Sequence, residues 1–176
     1  MFLVALLPPE PVFSEVWAMK QEVHQLTGSR NAVRLPPHIT LIPPLRQPEA
    51  FEPEFRATLA EFAKTQARFS VGLQDFRWFG NRTLFVQVAQ PGPVQAFHAA
   101  LVAWCAQHAP RVPRENRPFT PHMTLATRDL PTSAVPELRS LFVARHYQAT
   151  FAVGSFVLFR HDGQQWRQVE EFYLPA

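Results

Sequence analysis

The chain contains a single cysteine, Cys105, which excludes an intramolecular disulfide and a zinc site made of cysteine alone. It has little lysine: of 17 basic residues only Lys20 and Lys64 are lysine. Arginine suits bidentate phosphate contacts, but a GC-rich genome produces the same bias, so this feature carries little weight. Long apolar runs are missing. The N-terminal stretch Met1–Leu7 has no basic residue before it and ends in Pro8-Pro9, whereas a secretory core needs about 7–15 apolar residues behind a positive stretch and a membrane helix about 20. The expectation is a buried N-terminal strand in a cytoplasmic protein that has no membrane partner. No glycine-rich phosphate loop and no Gly-x-Ser-x-Gly elbow occur, which argues against an NTPase or a serine hydrolase. Strong charge is absent too. Lys+Arg 17 minus Asp+Glu 14 gives +3, which allows an anionic ligand without the density of a nucleic-acid-coating protein.

What is present is a globular composition, 47% hydrophobic and 18% charged over 176 residues, long enough to bury a core without staples. The chain also repeats itself. Val4, Pro9, Pro11 and Val12 align with Val86, Pro91, Pro93 and Val94 at a separation of 82 (86 − 4). Phe69-Ser70-Val71-Gly72 aligns with Phe151-Ala152-Val153-Gly154, again at 82 (151 − 69). Between them, Pro37-His38-Ile39-Thr40-Leu41 aligns with Pro121-His122-Met123-Thr124-Leu125 at 84 (122 − 38). Three landmarks in one order predict an internal duplication, residues 1–82 and 83–176, within one two-lobed domain spanning 1–176.

Each unit reads as strand, helix, strand, helix, strand. The opening strands are residues 2–7 and 84–88. The first helix of unit one places Val12, Val16, Met19, Val23 and Leu26 on one face, and that of unit two Val94, Phe97, Leu101 and Trp104, with Cys105 in the core. Gly28 and Pro110 are the expected stops. Phe51, Phe55, Leu59 and Phe62 mark the second helix of unit one; Val135, Leu138 and Leu141 mark its counterpart. A hairpin is expected between 151–160 and 166–174 around His161-Asp162-Gly163, and the prolines, Pro43-Pro44 among them, read as punctuation at element edges. The predicted fold class is α+β: two pseudosymmetric lobes, each an antiparallel or mixed sheet with outer helices, around a central cleft.

Residues i and i+2 of a strand share a face. His38 and Thr40 therefore face one way and Ile39 and Leu41 the other, and His122 and Thr124 do the same against Met123 and Leu125. Pseudo-twofold symmetry would bring the two polar faces together. Paired imidazoles suit displacement at phosphorus, one removing a proton from the attacking oxygen and the other protonating the leaving oxygen. The threonine hydroxyls would donate to the non-bridging oxygens. One such triplet is ordinary; two in matching contexts are not. His24, His98, His108, His146 and His161 lack metal-ligand spacing and read as surface or packing residues, so neither a metal nor another cofactor is expected.

Paired His-x-Thr motifs about 84 residues apart resemble the two-histidine (2H) phosphoesterase superfamily, and within it the 2′-5′ RNA ligase-like proteins, also described as RNA 2′,3′-cyclic phosphodiesterases. Leu35-Pro36-Pro37-His38-Ile39-Thr40-Leu41 and Phe119-Thr120-Pro121-His122-Met123-Thr124-Leu125 carry the likeness. The resemblance implies opening of a 2′,3′-cyclic phosphate at an RNA 3′ end to a 2′-phosphate, with ATP-independent, reversible 2′-5′ ligation, by a metal-independent monomer. It implies His122 as base and His38 as acid, with the reverse assignment open by symmetry. Many relatives carry arginine directly after the second Thr-Leu-x, where this chain has Thr127. Arg128 follows one residue later, and on a straight strand it shares the face of His122, an even step away (128 − 122 = 6). Ile42-Pro43-Pro44-Leu45 departs from the Phe-Leu-Gly of many ligase relatives, which leaves two alternatives to an RNA end: a small cyclic nucleotide such as ADP-ribose cyclic phosphate, or a non-catalytic phosphate- or RNA-binding module. Arg117 and Phe119 flank the second motif, where they are candidates to contact a base or phosphate, Phe119 being expected rather in the core.

Overall fold

The computed structural model describes residues 1–176. The first half of the chain forms β1 (Phe2–Leu6), α1 (Val12–Thr27), β2 (Ile39–Leu45), α2 (Glu52–Lys64) and β3 (Phe69–Phe79). The second repeats that order as β4 (Thr83–Val88), α3 (Gly92–His108), β5 (His122–Ala126), α4 (Val135–Val143) and then β6 (Gln148–Val153) with β7 (Ser155–His161), which together take the place of β3, and adds β8 (Trp166–Tyr173). Prolines open the helices, where a missing N–H costs nothing: Pro53, Pro93 and Pro136 lie in the first turns of α2, α3 and α4. Gly28 ends α1 at φ 73°, a left-handed conformation that a side chain would oppose.

All eight strands form one curled sheet in the order β6-β3-β4-β5-β2-β1-β7-β8, and every pairing is antiparallel. The α+β reading with pseudosymmetric lobes holds. The half-sheets β6-β3-β4-β5 and β2-β1-β7-β8 meet at a seam of one residue pair, Ile39 opposite Met123. The register respects the 82-residue shift. Val4 faces Leu158 and Val86 faces Phe76, and 86 − 4 equals 158 − 76. Each half thus gives its closing strand to the other: β3 lies on β4, and β7 on β1. The pairs Ile39–Met123, at the motif shift of 84 (123 − 39), and Ser70–Ala152, at the shift of 82 (152 − 70), map onto themselves when the halves are exchanged. The pseudo-twofold axis therefore passes through both the β2–β5 and the β3–β6 contacts.

Helices cover one face of this sheet through a large core in which Phe51, Phe55, Phe62, Leu59, Leu101 and Phe156 are buried. Each such side chain contributes roughly 1.5–3 kcal/mol relative to exposure. Four expectations need correction. The buried face of α1 is Val12, Val16, Lys20 and Val23, whereas Leu26 is 51% exposed; the face is rotated toward Lys20. Cys105 is buried as expected, but Trp104 and Leu141 are only partly buried, and Phe142 takes the core position assigned to Leu141. The run 151–160 is divided at Gly154 between β6 and β7, which lie in different half-sheets, so only β7 and β8 form the hairpin. Pro43-Pro44 lies inside β2, where the β1 register shifts between Val4–Ile42 and Phe2–Leu45; a bulge there accommodates residues without an N–H.

Candidate active site

Both motifs alternate as expected. Ile39, Leu41, Met123 and Leu125 are buried at 0–1% exposure, while His38, Thr40, His122 and Thr124 are half-buried. Continuing the antiparallel register of Ile39–Met123 by one residue in each direction sets His38 opposite Thr124 and Thr40 opposite His122. Opposite residues in such a pair stand about 4.5–5.5 Å apart and diagonal ones roughly 7–8 Å. The four side chains make one cluster on the cleft face, with the imidazoles on a diagonal. The seam is therefore where the two half-sites fuse.

Each imidazole is oriented in the same way. His38 Nδ1 lies 2.8 Å from the Pro36 carbonyl oxygen and His122 Nδ1 2.8 Å from that of Thr120. A carbonyl only accepts, so Nδ1 carries the proton and Nε2 is left for the cleft. The proline between them explains the repetition: Pro37 and Pro121 hold the preceding residue extended, which aims its carbonyl at the ring. Burial holds the pKa of His38 down to about 4, helped by the neighbouring Lys20 ammonium and by His122; burial also lowers that of His122. Both rings are neutral near pH 7 in the free protein.

The cleft extends to both sides of the cluster. One pocket, of about 430 Å³, runs from Thr40 and His122 to Phe79, His98, Arg117 and Phe119. The other, of about 210 Å³, joins Thr40, His38 and Thr124 to Lys20, Arg34 and Arg128. Arg128 thus reaches the site, but not along a straight strand. β5 ends at Ala126, and Arg128 adopts φ 60°, a strained conformation for a residue with a Cβ. The turn is held by Asp129, whose carboxylate accepts from Ser29 Oγ at 2.6 Å, Arg30 N at 2.9 Å and Asn31 N at 3.1 Å.

Phe119, expected in the core, stacks on His98 with centroids 3.7 Å apart and planes at 7°, forming a wall of the larger pocket. His98, expected as a surface or packing residue, also lines that pocket. Of the remaining histidines, His24 Nδ1 bonds the Ser29 carbonyl at 2.9 Å, and His161 Nε2 lies 3.2 Å from Arg34 Nη2. No group of three or more His, Cys, Asp or Glu side chains is placed to hold a metal ion, and no helix is long and apolar enough to cross a membrane. Lys20 was missed from the sequence. Its spacing, four residues after Val16 and three before Val23, was the available signal.

The sequence pattern of the 2′-5′ RNA ligase superfamily matches residues 8–165. The chain belongs to that superfamily. The two-histidine phosphoesterase reading of the paired motifs stands with it. The RNA 2′,3′-cyclic phosphodiesterase of Thermus thermophilus is 27% identical over 139 residues, 75% of this chain and 70% of that protein. Among solved structures, TT0787 of Thermus thermophilus superposes with a TM-score of 0.72 at 24% identity, covering 98% of this chain and 97% of that one. E. coli LigT complexed with 3′-AMP gives 0.66 at 16% identity over 99% and 98% of the two chains. At these identities the structural likenesses speak for the shared curled fold of the superfamily.

Proposed function

We propose that this superfamily member is a cyclic phosphodiesterase that opens a 2′,3′-cyclic phosphate at an RNA 3′ end and leaves a 2′-phosphate. The observation that carries the reading is the Ile39–Met123 register, which interleaves two imidazoles and two hydroxyls around one point. A phosphoryl group there has one Nε2 on each side. His122 Nε2 accepts the proton of the attacking water, and His38, in the reactive form protonated on Nε2 as well as Nδ1, donates its Nε2 proton to the departing 3′ oxygen; the near-symmetry of the cluster makes the exchanged roles the competing assignment. Bonding of each Nδ1–H to a backbone carbonyl leaves Nε2 as the atom that moves the proton. Thr40 and Thr124 donate to the non-bridging oxygens as charge builds on them. Arg128 supplies a cation at the rim. With a 5′-hydroxyl in place of water, the same displacement of the 3′ oxygen forms a 2′-5′ linkage.

The nucleoside is assigned to the larger pocket, whose Phe119–His98 stack and Phe79 offer apolar faces beside His122. The test is an oligoribonucleotide ending in a 2′,3′-cyclic phosphate, incubated with EDTA and set beside 2′,3′-cyclic mononucleotides and ADP-ribose cyclic phosphate. The expected result is a 2′-phosphate terminus, formed with higher kcat/KM on the oligonucleotide. A preference for either small substrate moves the reading to small cyclic nucleotides. Binding without turnover makes the protein a phosphate- or RNA-binding module.

A further inference from the structure

Lys20 is the one long cationic side chain in the interior: 2% of the residue is exposed, on the core face of α1. Its Nζ donates to the Thr124 carbonyl oxygen at 3.0 Å, beside the seam where β2 and β5 pair only once. It forms none of the protein's ion pairs. A buried ammonium with one neutral acceptor is costly unless an anion completes it. The surroundings supply no such anion. The titratable groups lining the pocket are the Met1 N-terminus, Lys20 from α1, Arg34 from the segment before β2, His38 beside β2 and Arg128 from the turn after β5, none of them a carboxylate; His122 stands across the seam. The carboxylate on that turn, Asp129, is taken up by Ser29, Arg30 and Asn31, and Glu22 on α1 itself is committed to Arg145.

We infer that Lys20 is a phosphate-holding residue of the site, its buried ammonium being the fixed positive charge against which the phosphoryl group settles between the two His-x-Thr couples. The inference rests on the phosphoesterase reading above and adds to it a residue outside both motifs. Nζ has three donors and spends one on Thr124, so two remain for the anion. Its rigid setting distinguishes it from the exposed Arg128. Burial has lowered the Lys20 pKa to about 8. An anion beside it favours the charged form and raises that value, so anion binding is linked to Lys20 protonation and weakens as pH rises past the free-protein pKa.

The test uses adenosine 2′-monophosphate with the full chain, measured by calorimetry from pH 7 to 9.5, a range in which a phosphate with its second pKa near about 6 stays dianionic. The wild type is expected to hold its affinity to about pH 8 and then to lose up to about tenfold per pH unit. Lys20→Gln, which keeps an N–H donor for the Thr124 carbonyl, is expected to bind about 10–100-fold more weakly at pH 7 and to show no break near pH 8. Lys20→Met is expected to match it; if Met fails to fold, the Gln variant and the wild-type profile decide. Wild-type affinity in Lys20→Gln, or a flat wild-type profile, identifies a purely structural lysine and overturns the inference. Absence of any binding by wild type at any pH overturns the phosphoesterase reading itself, and this inference with it.

Discussion

His38 and His122 occupy equivalent positions and make the same Nδ1 bond, yet their neighbourhoods differ. Around His38 stand Lys20, Arg34 and Arg128 with no carboxylate in the pocket. Around His122 stand the rings of Phe79 and Phe85, at 4.9 and 5.2 Å, with the Phe119–His98 stack in the same pocket. The chemistry common to both couples is set by a short local motif and a one-pair register. The surroundings are set by elements that lie far apart in the chain, and these are free to diverge. On the proposed function, a symmetric pair of proton carriers would meet an asymmetric substrate between a wholly cationic pocket on one side and, on the other, an aromatic one that also holds Glu115 and Arg117.

The largest expected effect removes the common part. His38→Ala or His122→Ala should each lower kcat by about 10³-fold in a cyclic-phosphate assay; a variant retaining full rate on either side would show that the two couples do not act on one phosphorus. Thr40→Val and Thr124→Val should each cost about 10²-fold through a lost donor to the developing charge, and equal losses would indicate that both hydroxyls face the phosphoryl group. The next pair sharpens the difference between the sides. Phe119→Ala should raise KM by about tenfold, as expected for a lost base stack, without altering salt dependence, whereas Arg128→Ala should raise KM and flatten its dependence on salt. Identical salt responses would erase the distinction. Smallest in consequence for catalysis is stability. His38 is held neutral with a pKa of about 4 against about 6.5 for a free imidazole. The unfolded chain therefore takes up the proton first, so stability is complete above about pH 6.5 and is lost as pH falls toward 4, by on the order of 3 kcal/mol. Denaturant melts at pH 7 and pH 4.5 measure this, and His38→Gln should reduce the difference.

Activity should follow the same groups. With His38 and His122 both shifted below the ordinary histidine value, the fraction carrying a protonated acid grows as pH falls. The rate at low substrate should therefore rise from pH 8 toward pH 6.

The sequence made the strand faces and the four-residue cluster legible because both depend on alternation and on a repeat, which are local signals. Arg128 was found for the wrong reason: an even step along a strand suggested it, and a left-handed turn tied down by Asp129 delivers it. His98 was not legible, and Lys20 was legible only through its spacing from Val16 and Val23. Lys20 departs from the hydrophobic pattern that marks a helix face, and the Thr124 carbonyl beside the seam gives its ammonium a place. His98 becomes part of the cleft through Phe119, 21 residues later (119 − 98). The division of 151–160 at Gly154 escaped because both segments are equally apolar and only the closure of the sheet separates them.

The pairing of β7 with β1 and of β3 with β4 has a meaning for chain length. A polypeptide cut at residue 82 retains a terminal strand whose hydrogen-bonding partner lies in the missing portion, and the portion lost is in the same position. Neither fragment is a miniature of the whole. Mixed, they should reassemble by mutual complementation; alone, such a fragment can satisfy its open ladder only by embracing a second copy of itself.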